Sequence, residues 1–324
     1  MIKAAVIGGA GYTAGELIRT LIHHPEVETL SVVSQSHAGQ PVHAAHHDLV
    51  GETNLKFSKE PDSDSDVVFL CLGHGKSREY LEKNPMNGSR IIDLSNDFRL
   101  KKGSTFNGRS FVYGLPELNG TQITKARNIA NPGCFATAIQ LALLPLAHEE
   151  KLENEVHVNA ITGSTGAGQS LTSTTHFTWR NNNVSIYKPF SHQHLAEITE
   201  SIKSLQPWFD EPVNFIPVRG NFTRGILATV YTHTPQNVEE MKNVYHNYYE
   251  NAPFTTVADE PVHLKQVVNT NKCLLHLEKH GDYLLITSVI DNLLKGASGQ
   301  AVENMNLMFS LDQRLGLGLK ASMF

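Results

Sequence analysis

Cysteine is scarce in this chain: three residues among 324, at Cys71, Cys134 and Cys273. So odd and sparse a set argues against a disulfide framework and for a reducing cytoplasm. Long hydrophobic runs are missing too, since no stretch reaches the ~18 apolar residues expected of a membrane-spanning helix. The opening "MIKAAVIGGAGY" runs straight into a glycine-rich turn, without the longer apolar region and small-residue cleavage site of a signal peptide. Neither sign of charge dominates: 27 Lys and Arg stand against 32 Asp and Glu, a formal net charge of -5. That balance points away from nucleic acid and from membrane surfaces as partners. There is no internal repeat and no low-complexity tract.

What is present is an ordinary globular composition, 40% hydrophobic and 18% charged, at a length that favours two domains. The first 130 residues alternate strand-like and helix-like segments. "KAAVIGG", "TLSVVSQS", "DVVFLCLGHG" and "RIIDLSND" read as short strands, with a helix over "GELIRTLIHHP". This rhythm predicts a Rossmann-type, doubly wound parallel sheet. Ligands of such sheets sit at the carboxyl ends of the strands, which places Gly73, His74, Ser95 and Asn96 at a cleft. Beyond Cys134 a helix of about four turns is followed by clustered strands: "EVHVNAITG", "VNFIPV", "GILATVYTHT", "VHLKQVVN", "KCLLHLEKH" and "DYLLITSVID". These predict a second, α+β domain with a mostly antiparallel sheet.

Several groups of residues carry chemistry. Gly8, Gly11 and Gly15 follow the first strand and open the first helix, where backbone N–H groups can approach a pyrophosphate. Cys134, in "NPGCFATA", stands on the threshold of a helix, a position that stabilises a thiolate. Cys71 and Cys273, flanked by apolar strand residues, read as buried small hydrophobes. A dinucleotide domain followed by a turn-borne cysteine suggests thiohemiacetal chemistry, with a hydride moving between the bound carbon and a nicotinamide. "FSHQHLAEI" offers His192 and His194 as proton donor and acceptor, with Glu197 one turn beyond His194 to orient an imidazole. No cysteine or third histidine completes a metal site there. Arg219 and Arg224 suit a carboxylate or phosphate. The "ITGSTGAGQS" loop, with Ser164, Gly166 and Gly168, is rich in donors, and Asn292 and Lys295 precede a glycine-rich helix entry.

With these residues in view, the chain resembles the N-acetyl-γ-glutamyl-phosphate reductase family, within the wider semialdehyde dehydrogenase group. The resemblance rests on eight motifs in order. They are "GGAGYTAGELIRTL", "GHG" at 73–75, "DLSNDFRL", "YGLPELN", "NPGCFATA", "GSTGAGQS", "HQHLAEI" and "DNLLKGASGQAVENMN". Two departures stand out. Asn214 and Phe215 replace the usual Pro-His before the "RG" segment, and "SQS" follows the second strand where Ser-Arg-Ser is common.

The resemblance implies a dinucleotide-binding domain over 1–133, a catalytic and dimerisation domain over 134–297, and a C-terminal helix, 298–324, returning to the first. It implies NADP(H) held by Gly8, Gly11, Tyr12, Thr13, Ala14, Ser34, Ser36, Gly73, His74 and Asn292. It implies reductive dephosphorylation of an N-acyl-γ-glutamyl phosphate in arginine biosynthesis, with release of inorganic phosphate, by a homo-oligomer, dimer or tetramer. Cys134 is the implied nucleophile, His192 or His194 its acid-base partner. Asn131, Ser164, Gly166, Gly168, Glu197, Arg219 and Arg224 are the implied substrate contacts. Two other readings stay open: an aspartate-semialdehyde dehydrogenase using the same chemistry on a shorter substrate, and a nucleotide-binding redox sensor switching through Cys134. The residues favour NADPH over NADH, because Ser34, Gln35, Ser36 and His37 end the second strand with donors and no carboxylate.

Overall fold

A computed structural model of the chain describes residues 1–323. Packing divides it into two compact units, Met1–Pro132 with Ala297–Gly318, and Gly133–Gly296 with the tail from Leu319.

In the first unit the strands are β1 (Ile2–Ile7), β2 (Val27–Val33), β3 (Phe57–Ser58), β4 (Val67–Leu70) and β5 (Arg90–Asp93). After a small hairpin of β6 (Thr105–Phe106) and β7 (Arg109–Ser110) come β8 (Val112–Tyr113) and β9 (Asn128–Ala130). Seven of them form one sheet in the order β3-β2-β1-β4-β5-β9-β8, every pair parallel. The helices α1 (Tyr12–Leu21), α2 (Lys76–Lys83) and α3 (Pro116–Ile123) lie on the connections. All four residues of β4 are buried, as a parallel strand covered on both faces requires. The chain runs outward from β1 to β3, then returns to β4 on the other side of β1. The carboxyl ends of β1 and β4 are therefore the topological switch point, where a doubly wound sheet opens a crevice.

The second unit begins with α4 (Cys134–His148), buried from Phe135 to Ala147. A helix apolar on all sides belongs at the centre of a domain. Pro145 lies inside it and supplies no N–H, which leaves the carbonyl of Leu141 without its helical donor. The hydroxyl of Tyr249 donates to that carbonyl at 2.5 Å, and Tyr245 donates to the next one, on Ala142. Both tyrosines come from a helix far along the chain, so the proline is tolerated through tertiary contacts.

The sheet of this unit holds β10 (Val156–Thr162), β11 (Ser185–Ile186), β12 (Val213–Arg219), β13 (Ile226–His233), β14 (Thr255–Val257), β15 (Cys273–His280) and β16 (Tyr283–Ile290). Their order is β11-β12-β10-β13-β16-β15-β14, with β10–β12 and β14–β15 parallel and the other pairs antiparallel. Along β13 burial alternates strictly, one face on the core and the other carrying Tyr231 and His233 outward. Helices α5 (Phe177–Arg180), α6 (His194–Leu205) and α7 (Val238–Tyr249) complete it, the last opened by a capping box between Asn237 and Glu240.

The chain then returns to the first unit through α8 (Gly299–Met308). Asn304 donates to the carbonyl of Gly114 at 2.8 Å, and a Cβ at Gly114 would fall 2.6 Å from that same amide, so only glycine admits the helix.

Two expectations need correcting. "VHLKQVVN" is no strand: Leu264–Gln266 is a 3-10 turn, because the side chains of His263 and Gln266 each satisfy the other's backbone. Nor does helix continue over 298–324. It ends at Met308, Ser310 takes φ +58, and the Asn306 amide donates to the carbonyls of Gln313 and Leu315, folding the tail into turns.

Candidate active site

Each unit contributes its own polar region. In the first, the turn after β1 is shaped by glycines, of which Gly8 has no substitute. Gly8 has φ +80, and a Cβ there would lie 2.6 Å from the Cys71 carbonyl oxygen at the end of β4. Gly11 caps α1 with no side-chain hydrogen bond over the helix N-terminus, and a Cβ on it would meet nothing nearer than 3.9 Å. The N–H groups of Tyr12, Thr13 and Ala14 thus open the helix at the switch point, the disposition that suits a pyrophosphate. His46, unmarked in the sequence, braces the turn. Its Nε2 donates to the Gly9 carbonyl at 2.6 Å and its ring fills the place a Cβ on Gly15 would take.

At the end of β2, Ser34, Ser36 and His37 share hydrogen bonds, the tightest between Ser36 and His37 at 2.9 Å. No carboxylate belongs to this group. Gly73 and His74 follow β4, where His74 Nδ1 accepts the N–H of Asn96. Beneath them Asp93, fully buried, accepts from Ser77 at 2.5 Å and Ser95 at 2.7 Å. Burial pushes its carboxyl up to about 6 despite those bonds.

Asn131 is 1% exposed, and its carboxamide is engaged within the same unit. Its Nδ2 donates to the Ala297 carbonyl and its Oδ1 accepts from Asn304, each at 3.0 Å.

In the second unit Cys134 is the first residue of α4, and Gly133 before it is the N-cap. The backbone around the thiol is tightly enclosed. A Cβ on Gly133 would lie 2.3 Å from His194 Nε2, and one on Gly296 would lie 2.8 Å from the Cys134 Cβ. Glu197, 4% exposed, accepts the Gly133 N–H at 3.0 Å and places its other oxygen 3.9 Å from His194 Nε2. One carboxylate thereby touches both the residue preceding the thiol and the imidazole beside it.

His192 stands beside His194, their ring centroids 4.6 Å apart, but its other neighbours differ. Its ring meets Phe135, Phe215 and Tyr187 edge-on at 5.5–5.8 Å between centroids, and its Nδ1 accepts the His194 backbone N–H. Burial, reinforced by the Lys188 charge and opposed by Glu197, lowers it to about 4, so it is neutral near pH 7. The sequence departure at 214–215 now has a place. Phe215 is fully buried beneath His192, while Asn214, the preceding residue of β12, donates to Glu155.

The two arginines of "IPVRGNFTRGI" part company. Arg224 forms an ion pair with Asp291, Nη2 to Oδ2 at 2.9 Å and Nε to the same oxygen at 3.0 Å. Asp291, fully buried and not singled out in the sequence, also accepts the N–H groups of Asn269, Leu293 and Leu294. Arg219, ending β12, lies over the Tyr187 ring at 4.6 Å. Asn292 accepts the Gly225 N–H at 2.7 Å and donates to Thr165.

The Gly-Ser-Thr loop, a 3-10 turn over Ser164–Ala167, spends its amides on backbone carbonyls. Those of Ser164 and Thr165 donate to Phe222 and Thr223, and those of Gly166 and Gly168 donate to Gly163 and Thr165. Tyr187 and Arg180 carry no motif and escape a linear reading, and Phe135, though inside "NPGCFATA", gives no sign in the sequence of packing on both histidines. Among the described residues no group of three or more His, Cys, Asp or Glu is placed to hold a metal ion.

Comparison with known proteins gives a consistent result. Residues 3–126 match the model for the semialdehyde dehydrogenase NAD binding domain, and residues 134–292 match its dimerisation domain. A protein of Christiangramia forsetii named N-acetyl-gamma-glutamyl-phosphate reductase is 58% identical, with both chains covered in full. Aspartate semialdehyde dehydrogenase II from Vibrio cholerae has a similar fold, with TM-score 0.72, 17% identity, and 96% of this chain and 99% of that one covered. An aspartate semialdehyde dehydrogenase with NADP from Candida albicans also superposes with TM-score 0.72, at 14% identity, covering 95% of this chain and 98% of that one.

Proposed function

The chain belongs to the N-acetyl-γ-glutamyl-phosphate reductase family of semialdehyde dehydrogenases, and from that premise we propose the following reaction. It reduces N-acetyl-γ-glutamyl phosphate to the semialdehyde with release of inorganic phosphate, a step of arginine biosynthesis. The observation that carries the reading is Cys134 at the N-terminus of α4, with His194 against Gly133 and Glu197 bracing both.

His194 takes the proton of the Cys134 thiol, and the N-terminal end of α4 favours the resulting thiolate. The thiolate attacks the acyl carbon. The C–O bond to phosphate breaks, and the departing phosphate carries off the proton held on His194. The product is an acyl thioester on Cys134. NADPH, when bound, supplies the hydride for its reduction. The thiohemiacetal oxyanion on Cys134 then collapses, breaking the C–S bond and regenerating the thiolate as the semialdehyde leaves. Glu197 keeps the imidazole oriented and favours its charged form between these steps. His192, neutral and boxed by aromatic rings, packs the floor of the site.

NADP(H) fits the residues of the first unit. Gly8, Gly11, Tyr12, Thr13 and Ala14 would hold the pyrophosphate, Ser34 and Ser36 the 2′-phosphate, and Gly73 and His74 would border the nicotinamide half. Arg219 and Ser164 are substrate contacts in this reading. Asn131, Arg224, Asn292, Gly166 and Gly168 hold the frame through the hydrogen bonds already described. The protein is a homo-oligomer, dimer or tetramer. The match of 134–292 to a dimerisation domain supports this, as do the exposed Tyr231 and Tyr283 on the open sheet face. Three free cysteines suit a cytoplasmic location, and among the described residues no helix is long and apolar enough to cross a membrane.

The test runs the reaction backwards, following phosphate-dependent reduction of NADP with N-acetylglutamate semialdehyde, its N-succinyl and unacylated analogues, and aspartate semialdehyde. The N-acetyl compound should give the highest kcat/KM. A higher value with aspartate semialdehyde would overturn the assignment.

A further inference from the structure

Arg180 was assigned no role by any motif, yet it is only 8% exposed. A buried guanidinium normally meets a carboxylate. This one does not. Its Nη2 donates to the Asn183 carbonyl at 2.9 Å and its plane lies over the Trp179 ring at 5.0 Å, while Nε and Nη1 are buried without any acceptor. The charge that acts on it is that of a second cation, Arg219. Burial first, and then the Arg219 charge, lower the Arg180 pKa from its usual value. Arg219 repeats the pattern: it contacts the Tyr187 ring, and its Nε is buried with no hydrogen-bond partner.

Two guanidiniums, each acting on a neighbouring aromatic ring and one feeling the charge of the other, thus present three buried nitrogen atoms with no acceptor, and neither cation has an acidic partner. Leaving donors of this kind unsatisfied is costly, and like charges at close range add to the cost. An oxyanion would relieve both at once, in the geometry guanidinium offers to carboxylate and phosphate. The pair belongs to the Cys134 region, because Tyr187, which Arg219 covers, meets His192 edge-on at 5.8 Å and feels the charge of Cys134. Arg224 supplies the contrast, since its charge is already matched by Asp291.

We propose that Arg180 joins Arg219 in a two-arginine site that binds an oxyanion of the substrate, and that Arg180 is a specificity-determining residue of the reaction. This rests on the reading of the chain as an acyl-phosphate reductase. The bound group is either the phosphate or the carboxylate of the substrate, and the two sources give different results.

Trp179 beside Arg180 supplies a readout that needs no turnover. The chain has two tryptophans, so Trp208→Phe leaves Trp179 as sole reporter. In that protein, titration with inorganic phosphate and with N-acetylglutamate should give a saturable change of emission for at least one of them. Adding Arg180→Gln should weaken the responding anion by roughly 10- to 100-fold, while Arg180→Lys recovers part of the loss. In the reverse assay Arg180→Gln should raise one KM by a similar factor, with kcat changed far less. A raised phosphate KM assigns the site to the phosphate, and a raised semialdehyde KM assigns it to the carboxylate. Absence of a saturable response to either anion in the Trp208→Phe protein overturns the proposal, whether or not the glutamine variant folds. So does an Arg180→Gln protein whose anion affinity and both KM values stay within about twofold of the parent. Lack of turnover with a preserved fluorescence response would instead fault the assigned reaction and leave the anion site standing.

Discussion

Cys71 and Cys134 are each a half-buried residue at one end of a secondary-structure element, one in each unit. Cys71 follows β4 in the first unit, where burial pushes its thiol up to about 12 and the nearby Asp93 charge acts in the same sense, against a hydrogen bond with Thr13. Cys134 stands at the other kind of end, the N-terminus of a 15-residue helix, where backbone N–H groups converge and an imidazole lies alongside. Exposure alone does not separate them. The polarity of the backbone end and the neighbouring charge do, and under the proposed reaction they leave one thiol inert and make the other the nucleophile.

The largest expected effect breaks this contrast directly. Cys134→Ser should lower kcat by at least ~10³-fold, since a hydroxyl has too high a pKa to replace the thiolate. Cys71→Ser should leave kcat within a few-fold and cost stability instead. Steady-state kinetics of both variants check this, and a Cys134→Ser protein keeping more than about a tenth of the parent kcat would remove the covalent step.

Next come the two histidines. His194→Asn should cost ~10² to 10⁴ in rate, the usual effect of losing an acid-base group. His192→Asn should lower stability and cost less in rate. Near-normal kcat/KM in both would place the proton donor elsewhere.

In the first unit, Ser36→Asp should move cofactor preference from NADPH toward NADH, because a carboxylate at the end of β2 repels a 2′-phosphate and accepts a ribose hydroxyl. The ratio of kcat/KM for the two cofactors measures it. A parent enzyme that already works as well with NADH would refute this account of the β2 terminus.

The smallest effect concerns pH and stability, and here the units oppose one another. His192 titrates near 4 in the fold against 6.5 when unfolded, so the unfolded chain binds the extra proton first. Its contribution is whole above pH 6.5 and is lost as pH falls toward 4. Asp93 titrates near 6 against 3.8, so the fold holds the extra proton, and its contribution is whole below pH 3.8 and lost as pH rises through 6. The trends offset each other between about pH 4 and 6. Denaturant melts across that range should show His192→Phe removing the loss toward acid, and Asp93→Asn removing the loss toward neutral pH. An unchanged slope in either variant would show that its group does not titrate as described.

Much of this was legible along the chain, because it is local. Strand and helix periods follow from neighbouring residues, as do the glycines of the first turn, the seat of Cys134 at a helix start and the donors that close β2. "VHLKQVVN" misled for the same reason. Its alternation is strand-like, yet a reciprocal bond between His263 and Gln266 outweighs it.

Tertiary structure alone decided how chemically identical groups part. His192 and His194 have rings 4.6 Å apart that share Phe135, but only packing adds Phe215 and Tyr187 around one and sets the other against Gly133 and Glu197. Arg224 is matched by Asp291, 67 positions away, while Arg219, at the end of β12, lends its charge to Arg180, at the end of α5. Pro145 sits inside a helix because Tyr249 caps the carbonyl it strands. In each case the partner is remote in sequence. The nature of a side chain is written locally, but its charge state and its availability depend on which distant groups the fold brings to it.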